Sequence, residues 1–153
     1  MTKRLLVALG LCAVTTACSL DTTSSFNCSV PTLVTDHRGD TVVTVTGLKY
    51  IDLETGAGDS IAACRPASVG YVLRLAAKPD SIFDQSDSVT VVPGSGSLIP
   101  GFEQGVVGMK EGGERLLIVP PQLGYGPNDY RDIPGGSTLL FDITANDAGG
   151  PSN

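Results

Sequence analysis

At 153 residues the chain has room for one domain with short appendages, and two independent cores would be crowded. A composition that is 41% hydrophobic and 17% charged, with 19 Gly and 10 Pro, suits a turn-rich, strand-rich globule better than a helical bundle or a disordered chain. The net charge of −6, with no run of Lys or Arg beyond Lys3-Arg4, removes the electrostatic footprint that nucleic-acid binding requires, so no nucleic-acid partner is expected.

The start of the chain reads as targeting. Lys3-Arg4 is a positive start, Leu5 to Val14 an apolar stretch of signal-peptide length, and Thr15-Thr16-Ala17 a small-residue cleavage site, so residues 1–17 are expected to be a signal peptide. A spanning helix takes about 20 apolar residues, more than this stretch offers. Cys18 follows directly, and the pattern resembles a bacterial lipoprotein signal, in which that Cys takes the lipid and becomes the first mature residue; Thr15 stands where such signals usually have Leu. Ordinary signal-peptidase cleavage after Ala17 is the alternative. Lipidation of Cys18 implies attachment to a membrane, and Ser19, in place of the Asp that often signals inner-membrane retention, favours the outer membrane. The expected location is therefore outside the cytoplasm, in the periplasm or cell envelope.

Residues 18–42, rich in Ser, Thr and Asp and without sustained periodicity, are expected to form a tether, with order beginning near Val43. With Cys18 assigned to lipid, Cys28 and Cys64 remain in the folded part. An even pair in an oxidising compartment invites a disulfide, which would contribute about 3 kcal/mol by the chain-entropy argument. Two buried free thiols are the alternative. No CxxC is present, and the sole His, His37, lies in a polar His-Arg-Gly-Asp turn, so neither metal nor cofactor is expected.

The domain is expected over 43–147, followed by a flexible tail at 148–153, with fraying from Asn146. Val43 to Leu53 is a roughly alternating, β-branched strand stretch closed by the turn Glu54-Thr-Gly-Ala-Gly-Asp59. Val69 to Ala76 predicts a strand with Tyr71, Leu73 and Leu75 on one face, Lys78-Pro79-Asp80-Ser81 a turn, and Val89 to Val92 a short strand. Pro100 opens the one convincing helix, to about Met109, because Pro is favoured at the first helical position and Gly112-Gly113 lies just beyond; Phe102, Val106 and Met109 give it one apolar face. Arg115 to Val119 and Thr138 to Thr144 are further strands, separated by the long loop Pro120 to Ser137. Short connections favour antiparallel pairing, so the fold class is α+β: an antiparallel, twisted sheet of five to six strands wrapped over one short helix.

The usual catalytic constellations fail. A nucleophilic triad needs a base, and one loop His without a Gly-x-Ser-x-Gly elbow is a poor start. Gly94-Ser-Gly-Ser lacks the Gly-Lys-Ser/Thr that a phosphate loop needs. Asp84 and Asp87 read as a loop pair rather than glycosidase carboxylates, since the chain has no Trp to stack a sugar. What remains is a largely apolar set on loops and element ends: Tyr71, Phe83, Asp84, Leu98, Ile99, Phe102, Tyr125, Ile133 and Phe141. For any one of its aromatics, plain core packing is the simpler reading.

Taken in order, these residues carry a resemblance. Gly47-Leu-Lys-Tyr50 with Thr55-Gly-Ala-Gly-Asp59, the pair Phe83-Asp84, the helix start Leu98-Ile99-Pro100-Gly101-Phe102-Glu103, Met109-Lys-Glu-Gly112, Pro120-Pro121-x-Leu-Gly-Tyr125-Gly126, Ile133-Pro134 and Leu139-x-Phe141-Asp142 follow one another with compatible gaps from about Gly47 to Asn146. This succession resembles the FKBP family of peptidyl-prolyl cis-trans isomerases, in a bacterial, exported form. The resemblance implies that Tyr71, Phe83, Phe102 and Phe141 wall a hydrophobic pocket for a proline ring, with Leu98, Ile99 and Ile133 along its sides. It further implies that Tyr125 offers its hydroxyl, and Ile99 its backbone N–H, to substrate carbonyls, that Asp84 holds a carboxylate near the twisting imide, and that macrolide inhibitors compete for the site. Proline-containing exported polypeptides are the implied substrates. Two departures stand out: the Arg that often contacts the Asp of this family has no clear counterpart, and Val89 replaces an aromatic. A non-catalytic FKBP-like binding or chaperone module is the main alternative, and a structural envelope lipoprotein a third.

Overall fold

A computed structural model describes residues 34–38 and 41–149. The segment expected to be a signal peptide, Cys18, Cys28 and residues 150–153 lie outside the described residues. Among the described residues, seven strands form one antiparallel sheet in the order β1-β2-β3-β6-β7-β4-β5: β1 Val34–Arg38, β2 Thr41–Thr44, β3 Lys49–Glu54, β4 Ala67–Leu75, β5 Lys78–Val91, β6 Glu114–Val119 and β7 Leu139–Asp147. The same described residues hold one helix, α1 at Pro100–Val106, which packs on β6, and a single 3-10 turn at Pro121–Leu123. The α+β class and the antiparallel sheet over a short helix are as expected.

Three local readings change. The tether segment contributes β1, which places His37 opposite Val42 in a strand pair rather than in a turn. The expected turn at Lys78-Pro79-Asp80-Ser81 and short strand at Val89 are parts of one long strand: the reversal falls at Ala76-Ala77, and Leu75 pairs with Lys78. As an edge strand β5 is mostly solvent-exposed, so it needs no apolar alternation and tolerates Pro79. At the other end of the domain, β7 continues through Asn146 and Asp147, where fraying was expected.

Inward positions alternate as the pleat requires. Arg115, Leu117 and Val119 on β6, and Leu139, Phe141, Ile143 and Ala145 on β7, are buried; Phe141 stands between Leu73 of β4 and Leu117 of β6. Helix α1 approaches β6 closely because its sheet-facing side carries glycines one turn apart. A Cβ at Gly101 would sit 2.3 Å from Val119 Cγ1, and one at Gly105 2.3 Å from Leu117 Cδ1. The buried side chains of Phe102 and Val106 anchor the helix in the same core.

The C-terminal end of α1 is fixed by a buried cation. Arg115 donates through Nη1 to the carbonyls of Gly105 (2.7 Å) and Val107 (3.3 Å), and through Nε to Asp52 Oδ1 (2.6 Å), while its guanidinium lies 4.1 Å from the centre of the Tyr50 ring. Orphan carbonyls at a helix end are thereby satisfied. Cys64, at a φ of 64°, donates its N–H to Pro93 O at 2.9 Å and is disulfide-bonded; its partner lies outside the described residues.

Candidate active site

The site is assembled from β4, β5, the loop that leads into α1, α1 itself, the loop after the 3-10 turn, and β7. On β4, period-two alternation brings Tyr71 and Leu73 to the helix side of the sheet; Phe141 enters from β7 as the partner of Leu73, and Phe102 from the first turn of α1. The three rings form an edge-to-face triangle: Tyr71 and Phe102 are 5.7 Å apart at 81°, Tyr71 and Phe141 6.1 Å at 61°, and Phe102 and Phe141 5.2 Å at 78°. Such arrangements set the positive edge of one ring against the negative face of the next, which fixes ring orientation as well as adding about 0.5–1.5 kcal/mol per pair.

Above this triangle opens a hollow of about 100 Å³, lined by Tyr71, Leu73, Asp84, Val89, Leu98, Ile99, Phe102, Tyr125 and Phe141. Its polar groups divide into engaged and unengaged. The Tyr71 hydroxyl donates to Asp84 Oδ2 at 2.8 Å, and Asp84 Oδ1 accepts the Gln85 N–H at 2.9 Å. Among the described residues, neither the Tyr125 hydroxyl nor the Ile99 N–H has a hydrogen-bond partner, although both residues line the hollow. Tyr125 is steadied through its ring, which stacks on Tyr130 at 4.3 Å and 7°, with the Arg131 guanidinium 5.4 Å from the far ring.

Burial pushes Tyr71 up to about 12, with the hydrogen bond to Asp84, that carboxylate's charge and nearby Tyr125 adding to the effect. Tyr125 is raised as well, by burial first and then by Tyr130 and Asp84, against an opposing pull from Arg131. Both phenols therefore remain protonated, and able to donate, throughout the neutral range.

Seven of the residues singled out from sequence, Tyr71, Asp84, Leu98, Ile99, Phe102, Tyr125 and Phe141, thus share one hollow. Phe83 and Ile133 do not line it. Phe83 falls where the register of β5 against β4 slips between Leu73 and Arg74, and its half-buried ring packs against the core; Ile133, 7% exposed, is a core residue whose backbone bridges Tyr130. Leu73 and Val89 line the hollow but were not singled out. Leu73 carried a readable signal, since it lies two residues from Tyr71 on one strand face. A larger, open trough of about 410 Å³ crosses the sheet at Gly70 and is flanked by Asp87, Glu114 and Asp142. It lacks the converging rings that distinguish the smaller hollow.

Comparison with known proteins agrees with this geometry. The family model described as FKBP-type peptidyl-prolyl cis-trans isomerase matches residues 59–146. An FK506-binding protein of Neisseria meningitidis is 36% identical over 100 residues, covering 63% of this chain and 92% of the relative. FK506-binding protein 4 of Chaetomium thermophilum is 37% identical over 105 residues, 67% of this chain but only 21% of that longer protein. Among solved structures, AtFKBP13 superimposes with a TM-score of 0.64 at 30% identity, covering 70% of this chain and 97% of its own. The match runs through the segments that carry Tyr71, Asp84, Phe102, Tyr125 and Phe141, and the chain belongs to the FKBP-type peptidyl-prolyl cis-trans isomerase family.

Proposed function

We propose that the domain accelerates rotation about Xaa-Pro bonds in exported proteins by holding the twisted imide in the hollow above Tyr71, Phe102 and Phe141. The observation that carries this reading is the convergence of seven side chains from distant segments on one apolar hollow that retains two unengaged donors.

Rotation is opposed by amide resonance, with a barrier of about 18–20 kcal/mol, and no covalent bond is made or broken. Resonance places negative charge on the carbonyl oxygen, and twisting withdraws it. Transfer of the imide from water to an apolar pocket therefore costs the planar form more than the twisted one. Leu98, Ile99, Phe102 and Phe141 supply that surrounding, while the Tyr125 hydroxyl and the Ile99 N–H hold substrate carbonyls on either side. Asp84, kept in place by Tyr71, sets a carboxylate beside the imide. Each 1.4 kcal/mol by which the twisted state is preferred raises the rate about tenfold.

The same reading makes macrolides competitive ligands and places the domain outside the cytoplasm, exported by residues 1–17 and anchored through lipid on Cys18. The disulfide at Cys64 supports an oxidising compartment, with Cys28 as its proposed partner. A protease-coupled assay with a Xaa-Pro peptide tests the activity: catalysed isomerisation is expected, whereas a module that only holds proline segments would bind the peptide and leave its rate unchanged. Retention in the membrane fraction that is lost in Cys18→Ser tests the anchor.

A further inference from the structure

We propose that Glu103 is a positioning residue for this pocket: its buried carboxylate fixes the Leu98–Ile99 wall against which the prolyl ring is held. The proposal rests on the isomerase reading above and adds a residue that the pocket lining does not include.

Glu103 is only 7% exposed, yet its carboxylate is fully engaged. Oε2 accepts the N–H groups of Gly94 (2.9 Å) and Gly96 (3.2 Å); Oε1 accepts the Leu98 N–H (3.1 Å) and the Ser95 hydroxyl (3.4 Å). In return the Glu103 N–H donates to Ile99 O at 3.2 Å. One residue thus grips both sides of the Leu98–Ile99 pair.

The loop has little else to hold it. Cys64 donates to Pro93 O and Ser95 to Val92 O at its start, but from Gly96 to Leu98 the only hydrogen-bond partner outside the loop, among the described residues, is Glu103. Ile99 packs against the core, but from Gly96 to Leu98 packing does not substitute for Glu103: a Cβ at Gly96 would meet nothing within 4 Å, and Leu98 is 39% exposed. Gly94 and Gly96 have φ of 90° and 74°, a backbone that favours glycine and turns both amides toward the same carboxylate. Charge-assisted hydrogen bonds of this kind are roughly twice as strong as neutral ones. A loop this loosely packed is therefore shaped by its acceptor.

The wall touches substrate in both the planar and the twisted state, so loosening it weakens binding more than it slows rotation. Glu103→Gln keeps the length of the side chain and turns one acceptor into a donor that faces N–H groups; Glu103→Leu removes both acceptors. The experiment measures kcat and KM in the coupled assay, with amide exchange at Gly94, Gly96 and Leu98 set against Leu117 and Phe141 in the sheet. For Glu103→Gln, KM is expected to rise about tenfold with kcat within about twofold, and the three loop amides to exchange faster while the sheet amides do not change. The Leu variant is expected to show the larger KM. Wild-type KM and loop exchange in Glu103→Gln would overturn the proposal, and so would exchange quickened equally at Leu117 and Phe141, which would make Glu103 a contributor to global stability only. Should Glu103→Leu fail to fold, the Gln variant still decides. A wild-type protein with no isomerase activity would instead sink the isomerase reading itself.

Discussion

Tyr71 donates its hydroxyl to Asp84 Oδ2 at 2.8 Å across the β4–β5 pair, so these two polar groups of the hollow's lining are already committed to each other. The donors left unengaged in the hollow are those of Tyr125 and Ile99, which the proposed function assigns to substrate. In the proposed function the pairing also divides the labour of the two phenols: Tyr71 orders the wall, and Tyr125 is left to meet the ligand.

The first prediction concerns alkaline stability. The folded chain holds the Tyr71 proton up to about 12, against 10.0 for an unperturbed phenol. Between those values the unfolded chain has released a proton that the folded chain retains, so stability falls as pH rises through that window and is complete below it. Tyr71→Phe keeps the ring triangle and abolishes this dependence. Urea midpoints at about pH 9 and about pH 11 are expected to lie closer together in the variant than in the wild type.

Tyr125→Phe removes an unengaged hydroxyl and leaves the ring free to stack on Tyr130. A single neutral hydrogen bond to substrate is worth about 0.5–1.5 kcal/mol, so kcat/KM for a Xaa-Pro peptide is expected to fall about two- to twelvefold. The thermal midpoint is expected to stay within about 1 °C of wild type, because no intramolecular bond is lost. Since the phenol's proton is held more tightly than in water, wild-type activity is expected to show no loss from pH 7 to about 9.

Gly105→Ala sets helix propensity against packing. Alanine gains up to about 1 kcal/mol over glycine inside a helix. The new Cβ, however, would fall 2.3 Å from Leu117 Cδ1 and 2.7 Å from Cδ2, and Leu117 is fully buried with no room to retreat. Overpacking typically costs about 1–3 kcal/mol, so the variant is expected to be less stable by denaturant unfolding despite its better helix former.

Arg115→Met keeps the aliphatic stem and deletes the guanidinium. The Gly105 and Val107 carbonyls lose their donor and Tyr50 its cation, whereas Asp52, about half exposed, turns to water. A loss of about 2–3 kcal/mol is expected in urea unfolding, with little change in KM because Arg115 does not line the hollow.

Much of this arrangement was readable before any coordinates. Alternation on β4 and β7 exposes the inward faces of Tyr71 and Phe141, Pro100 marks the helix start, and the ordered motifs tie Leu98, Ile99, Phe102 and Tyr125 to one pocket. Only the end of strand β5, from Val89, was readable; the rest was not, because an edge strand facing water carries no apolar period and its Pro79-Asp80 reads as a turn. Nor was the hub at Glu103, since hydrogen bonds that loop amides donate to a side chain five to nine residues away leave no pattern in composition or spacing. The bulge that displaces Phe83 depends on how two strands slip past each other, which neither strand's sequence records by itself.

The most direct test is the protease-coupled isomerisation rate of a Xaa-Pro peptide with wild-type protein and with Phe141→Leu, which thins the aromatic triangle while keeping an apolar core. Catalysis by the wild type, inhibited by a macrolide and reduced at least about fivefold in a folded Phe141→Leu, is the predicted result. Peptide binding with an unaccelerated rate in the wild type, or undiminished catalysis in the folded variant, would contradict the assignment of the twisted imide to the hollow above Tyr71, Phe102 and Phe141.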